Sequence, residues 1–584
     1  MKQIPENIYA ENFVAKNNCL YDVRTNRQGS NERKLCNFVP WLVREVTMDD
    51  GVETITRIAL TGVHENGRTL PVVEIRTEDL SSFNWLNKHW GIDCIIEPGT
   101  LVKDVIRYAI QTTAHNAERS MVYTVTGWRE TKEGWQFLMP GDEAVTVSLP
   151  GKMQGYNMAR HWEKVDIATS LALLDSKVAP PEILFPMLAF AFLSPLNHFL
   201  KLAGHEPKFV LFLVGKTGSR KSTLAALFLS FFGRFTGTEL PLSFRDTSNS
   251  ILNHAFSLKD VLTCIDDFHP AGRQEENKLT ASAQSIMRAY GDRTGRGRLN
   301  SDSTPMETRP PRGNAIITGE FPPDIGESGT ARYFSLELHD GDVDLDELTM
   351  FQEEASKGVL QRCMFSFVEW LKETCLYNKD AETKFISALK NLFEVRRSVF
   401  QKACPNCHGR VPESAAWLEL GMELYLTFVV NRLQLQKSDV DDYRRQFHEM
   451  LVRLCKRQAE NVQQDRPTHK FIRKLFALLE SGQCCLLSRY TNDDYIPPNC
   501  IGYEDDMFIL LHSEPAHKLV RKFCEEQGES FSISNKELLK QLAEEGLLSP
   551  GKEQNTKSIR INEKSKRLAC IYKSKAQQIY DGAL

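Results

Sequence analysis

The stretch VLFLVGKTGSRKSTLAALFLSFFG, residues 210–233, passes from an apolar β-type segment through a glycine-containing loop into an apolar helical segment. That order makes a phosphate cradle, because loop N–H groups converge on an anion and the following helix N-terminus favours negative charge. Gly215, Thr217, Gly218, Ser219, Arg220, Lys221, Ser222 and Thr223 are the expected phosphate-binding residues. Lys221 is placed to reach β- and γ-phosphates, and the Ser222 hydroxyl to ligate magnesium. The usual pattern has glycine immediately before the lysine. Arg220 stands there instead, so Gly218 is expected to supply the flexibility. A glycine turn followed by a chance Lys-Ser is the competing reading, and what lies downstream decides between them.

Downstream, Asp260-Val-Leu-Thr-Cys-Ile-Asp266-Asp267 is an apolar strand ending in two carboxylates. Beside a phosphate loop, Asp266 would hold magnesium through water and Asp267 would activate the attacking water. A third apolar strand, Asn314 to Glu320, ends in Thr318, the candidate sensor of the γ-phosphate, with Glu320 as a further candidate. SGTARYFSLEL then puts Arg332 at the start of another strand, where ring ATPases present an arginine to a neighbouring nucleotide; a plain surface arginine is the alternative. Between acid pair and sensor strand, the basic segment AYGDRTGRGRLNSDSTPMETRPPRGN carries Arg293, Arg296 and Arg298. These suit backbone phosphates of DNA, or, for Arg296 and Arg298, nucleotide across a subunit boundary.

Bulk properties set the frame. A chain of 584 residues, 41% hydrophobic and 25% charged, exceeds one core and implies several soluble globular domains. With net charge −4 and pI near 6.4, any nucleic-acid surface is local. The N-terminus lacks a secretory pattern, and Ile183 to Ser194 falls short of the ~18 residues needed to span a bilayer. A cytoplasmic protein with no membrane partner is expected, and its 14 cysteines are expected reduced. Cys404-Pro-Asn-Cys407-His408 matches a haem-attachment pattern and half a zinc site, but Cys484-Cys485 has the wrong spacing to complete one; an incidental pair is the third reading.

The fold class expected is multi-domain α/β: an AAA+ P-loop ATPase core with a β-rich N-terminal domain, a helical region and a C-terminal winged helix. The boundaries are a β-rich domain over 1–160, a helical linker over 161–205, the ATPase domain over 206–345, helices over 346–495 and the winged helix over 496–584. In the last, helix-forming NKELLKQLAEEGLL precedes a hairpin rich in Lys557, Arg560, Lys564, Lys566 and Arg567. A basic wing serves DNA binding or protein docking.

With these motifs in place, the chain resembles the domain-of-unknown-function 927 family of mobile-element helicases, which includes the self-loading MCM-like helicases of staphylococcal cassette chromosomes. The resemblance covers nearly the whole chain. It rests on Thr126-Gly127-Trp128, GKTGSRKST, CIDDFHP, RPPRGNAIITGE followed by SGTAR, HGRVPESAAWLELGMEL and LLKQLAEEGLL. Arg220 agrees with that family's loop, whereas the Cys404 and Cys407 pair has no counterpart in it. The resemblance implies ATP and Mg2+ as cofactors, and a homo-oligomeric, hexameric ring moving 3′ to 5′ on single-stranded or forked DNA. Replication of a mobile element or prophage, with replication accessory proteins, would follow. An ATPase switch with a protein-binding winged helix and a primase-helicase are the rival readings.

Overall fold

A computed structural model of the chain describes all residues except 1–3, 6–7, 11, 27–28, 271, 296, 300–304, 406, 491–494, 528, 530, 552–553, 562–563 and 583–584; the side chains of 25, 26, 29, 273, 274, 298, 299, 305 and 306 are also outside the description. The chain forms two compact units, Met1–Met158 and Ala159–Leu584.

In the first unit, β1 (Phe13–Lys16), β2 (Cys19–Asn26) and β3 (Gly29–Cys36) form an antiparallel meander. A second sheet takes the order β10-β7-β4-β5-β6, from β4 (Phe38–Asp49), β5 (Thr54–His64), β6 (Thr69–Arg76), β7 (Glu118–Tyr123) and β10 (Thr146–Val147). Its core gathers Phe38, Leu60, Trp85 and Trp90 under Ile106 and Ile110 of the helix Val102–Thr112. Between β7 and β10 lies the hairpin β8 (Gly127–Thr131) and β9 (Gly134–Leu138). Gly127 enters it at φ 87°, a left-handed conformation that glycine adopts without steric cost. Trp128 packs edge-on against Phe137 at 5.1 Å. The Thr126-Gly127-Trp128 signature therefore has a structural explanation.

The second unit is built on a parallel sheet in the order β12-β13-β16-β11-β17. Its strands are β11 (Val210–Val214), β12 (Leu242–Ser243), β13 (Leu262–Phe268), β16 (Asn314–Gly319) and β17 (Tyr333–Glu337); the two-residue strands β14 (Arg298–Leu299) and β15 (Pro305–Met306) pair outside it. Strands buried on both faces need continuous apolar runs, which is why VLFLV and NAIITG do not alternate. Inserting β16 between β11 and β13 brings Thr318 between the loop that follows β11 and the acid pair.

Behind the sheet runs the helix Pro181–Leu193, which from Ile183 onward is apolar on every side and buried throughout. A short 3-10 turn carries it on to Leu202, so the apolar stretch is longer than Ile183 to Ser194. Pro181–Leu202 has the length and composition to cross a membrane, yet its most apolar window is 94% buried inside the protein. Phe192 there is fully buried against Phe231, Phe367 and Tyr425, a burial that stabilises by about 2–3 kcal/mol. The helix Arg410–Leu433 crosses closely because Gly421 has no side chain: a Cβ there would sit 2.3 Å from the Ala189 carbonyl oxygen. The helix Asp441–Gln464 covers the edge strand β17, where buried Gln458 donates to the carbonyls of Thr330 and Tyr333 and accepts from the Ser335 N–H.

The C-terminal part has its own core, from Phe471 and Leu475 to Leu538, Leu542 and Ile579. It therefore takes in the helix Pro467–Glu480, which the apolar periodicity alone assigns to the preceding helices. Its sheet has the order β18-β19-β20-β22-β21, with β18 (Cys485–Ser488), β19 (Cys500–Glu504), β20 (Phe508–Leu511), β21 (Lys557–Ile561) and β22 (Lys564–Tyr572). The helices Ser513–Glu526 and Asn535–Glu544 precede the basic hairpin β21–β22.

Candidate nucleotide site and the arginine residues around the sheet

β11 delivers the chain into the loop at Gly215, where a Cβ would come within 2.4 Å of the Leu338 carbonyl oxygen, so the approach to the strand-end backbone requires glycine. Gly218 has φ 91° and Arg220 φ 68°. The position that usually holds glycine is thus left-handed here too, and Arg220 bears a strain of about 1–2 kcal/mol. The helix Lys221–Leu229 starts directly after it. Lys221 Nζ donates to the Gly215 and Lys216 carbonyls at 2.6 and 2.8 Å. Burial depresses its pKa, against the opposing pull of Glu320, Asp266 and Asp267.

Below the loop, Ser222 Oγ donates to Asp266 Oδ1 at 2.7 Å and Thr318 Oγ1 donates to the same oxygen at 2.5 Å. The Asp267 N–H donates to Thr318 Oγ1 at 3.1 Å. Asp267 has φ 68°, strained for a non-glycine residue. A cavity of 270 Å³ is lined by Thr217, Arg220, Lys221, Ser222, Asp267, Thr318 and Glu320, among others. The Lys221 ammonium, the Ser222 and Thr318 hydroxyls and the carboxylates of Asp267 and Glu320 thus meet around a single recess.

The oxygens of Ser222 and Asp266 fit magnesium, which is ordinarily held by one or two carboxylates together with substrate phosphates. Among the described residues no cluster of three or more His, Cys, Asp or Glu forms a self-contained metal site. Glu320 accepts from the Thr217 hydroxyl and, at 2.9 Å, from the Thr217 N–H. The Thr217 hydroxyl, with His269, holds the Glu320 carboxyl below its ordinary pKa.

Sequence reasoning missed Arg245 and His269. Arg245 Nη2 lies 3.2 Å from Asp267 Oδ2, and His269 Nδ1 lies 2.9 Å from Glu320 Oε2. His269 was within reach, two residues past the acid pair; Arg245 stands in no motif.

The arginines divide sharply. Arg332 sits at the opposite end of the sheet from the loop, its guanidinium bound to both oxygens of Asp292 and to Ser328. Arg293 is a correction to the DNA-contact expectation. Its side chain is 4% exposed, and four of its five donors go to the carbonyls of Pro207, Pro311 and Gly313 and to Asn314 Oδ1, so it is buried away from any phosphate. Arg296 and the side chain of Arg298 lie outside the described residues. In the hairpin, Arg560 and Arg567 are exposed on one face and Lys564 is exposed at the turn. Lys557 is drawn onto Ser549 and Lys566 onto Tyr503. The Cys404 thiol lies within hydrogen-bonding reach of Cys407 and Cys455, while Cys484 and Cys485 neighbour Cys500, so the two cysteine pairs do not form one ligand set.

No family model and no curated protein matches the sequence. Among solved structures, the chain is similar to SCCmec type IV Cch, described as an active helicase, with 12% identity over 98% of this chain and 99% of that one and a TM-score of 0.55. The apo C-terminal region of NrS-1 aligns with 68% of this chain and 86% of its own length at 11% identity, but its TM-score of 0.23 is too low to bear on the fold. The molecule is therefore a multi-domain α/β protein whose second unit is built on a five-stranded parallel sheet. Over nearly its whole length it shares the fold of the Cch helicase structure.

Proposed function

We propose that the chain is an ATP-dependent DNA helicase of the AAA+ P-loop class and a member of the 927 family named above. It acts as a homohexameric ring translocating 3′ to 5′ on single-stranded DNA, in replication of a mobile element or prophage. The observation that carries this is the shared recess, where Lys221 faces Asp267 and Ser222 meets Asp266 beneath the loop. Lys221 and the loop N–H groups from Thr217 to Thr223 bind the triphosphate, Ser222 and Asp266 hold magnesium, and Asp267 accepts the proton of the attacking water. Magnesium supplies charge neutralisation at the transferring phosphoryl group. Thr318 ties the two aspartates to the strand that ends beside the γ-phosphate. The arginine cluster around Arg332 serves the neighbouring subunit's site. The hairpin β21–β22 is the wing of a winged helix that contacts DNA backbone through Arg560, Lys564 and Arg567.

The engagement of Lys557 and Lys566 inside the C-terminal part favours a second reading: an ATPase switch whose wing docks a protein. Steady-state ATPase with and without forked DNA separates the two, since stimulation is expected of the helicase alone. Lys221→Ala is expected to abolish hydrolysis and unwinding with an unchanged circular dichroism spectrum, and normal unwinding by that variant would remove the assignment.

A further inference from the structure

Hydrogen-bond accounting separates two arginines that share one carboxylate. An arginine has five N–H donors. In Arg332 all three guanidinium nitrogens are engaged: Nε and Nη2 on Asp292, and Nη1 on the carbonyl and hydroxyl oxygens of Ser328. Its side chain is 12% exposed. Gly291 closes in on it, since a Cβ there would lie 2.6 Å from its Cγ and Cδ.

Arg410, the first residue of the helix Arg410–Leu433, spends one donor on the Gly291 carbonyl at 2.5 Å and one on Asp292 Oδ1 at 2.8 Å. That leaves three donors for another acceptor, on a side chain that is 26% exposed. The nearby carboxylate of Glu327 is already paired with Arg466 at 3.0 Å.

The cluster cannot serve the nucleotide loop of its own chain. β11 and β17 run parallel with Val210 opposite Tyr333. Arg332 therefore lies at the start of the sheet and the loop at its end, a separation of about 16 Å for five residues of strand. An anion that engages Arg410 comes from outside the chain.

We propose that Arg410, braced by Asp292 and the Gly291 carbonyl, is the catalytic arginine offered to a triphosphate bound by a second copy of this chain, and that Arg332 is the positioning residue that fixes Asp292. This rests on the nucleotide-site reading above. It moves the trans-acting role from the guanidinium whose three nitrogens are all engaged to the one whose Nε is not, and no bond forms or breaks at either arginine.

The test is ATPase activity of the full chain without DNA. Arg410→Ala is expected to lose about 10³-fold in kcat. Mixed one to one with Lys221→Ala, itself inactive, it should regain up to roughly a quarter of wild-type activity, because random head-to-tail neighbours unite an intact Lys221 with an intact Arg410 at that share of interfaces. A mixture that stays inactive, or an Arg410→Ala chain within threefold of wild type, overturns the proposal. Should the alanine variant not fold, Arg410→Lys keeps a cation beside Asp292 and enters the same mixing experiment with the same expected result. Arg332→Lys separates the roles: it should keep at least a tenth of wild-type activity where Arg410→Lys does not, and equal losses overturn the division. A wild-type chain that hydrolyses no ATP overturns the nucleotide reading itself, whereas an active wild type with a silent mixture overturns only the assignment of Arg410.

Discussion

Replacing Thr318 with valine isolates the link between the two aspartates. The threonine is 1% exposed, so a side chain of nearly equal volume leaves no cavity. Two interactions disappear: the hydroxyl's bond to the Asp266 carboxylate and its acceptance of the Asp267 N–H. A bond to a charged group contributes about 1.5–3 kcal/mol, and leaving the part-buried Asp267 N–H without its acceptor costs about 1 kcal/mol. The two share an atom and do not add fully, so about 2–4 kcal/mol is at stake. Asp267 holds a left-handed backbone conformation that this hydrogen bond secures. If about 2 kcal/mol of the loss falls on the alignment of that carboxylate, kcat drops about 30-fold. Lys221 and the loop are untouched, so the Kd for a fluorescent nucleotide should stay within about threefold of wild type. Thr318→Ser restores the hydroxyl and should restore turnover. Steady-state ATPase within twofold of wild type for Thr318→Val would refute the reasoning.

Three further expectations follow from other parts of the molecule. At position 220, glycine should be more stable than alanine by about 1 kcal/mol in urea unfolding, because only glycine sheds the left-handed strain; equal midpoints would contradict the loop conformation. Burial raises the pKa of Asp292, but Arg332 and Arg410 more than offset this and hold it below the ordinary 3.8. Its stabilisation is therefore complete above that value and lost as pH falls through the lower folded one. The Tm advantage of wild type over Asp292→Asn should thus narrow on acidification from about pH 6 to about pH 3, and a constant gap would count against the ion-pair account. In the hairpin, Arg560→Ser with Arg567→Ser should lower the slope of log affinity for single-stranded DNA against log salt by about 1.4, and an unchanged slope would take the wing out of the DNA interface.

What the sequence made legible is what local pattern encodes. The strand, loop and helix around Lys221, the acid pair at the end of β13 and the basic hairpin are each contiguous runs whose chemistry depends on near neighbours. The arginines were opaque for the opposite reason. Arg293 finds its acceptors at Pro207 and at Pro311 to Asn314, and Arg332 meets an Asp292 that Arg410 also holds, so only the folded chain shows which guanidinium is spent. The helix Pro467–Glu480 shows a related limit, since an apolar face does not say which core it will enter.

Gln458 has a mechanical consequence. One amide clasps two backbone groups of β17, at Tyr333 and Ser335, and the Thr330 carbonyl just before it, so the strand and the helix Asp441–Gln464 cannot slip by a residue without breaking all three bonds, each contributing about 1 kcal/mol. The joint resists shear while leaving pivoting open. Because β17 lies beside β11, a tilt begun at the loop that follows β11 would swing that helix like a rocker arm.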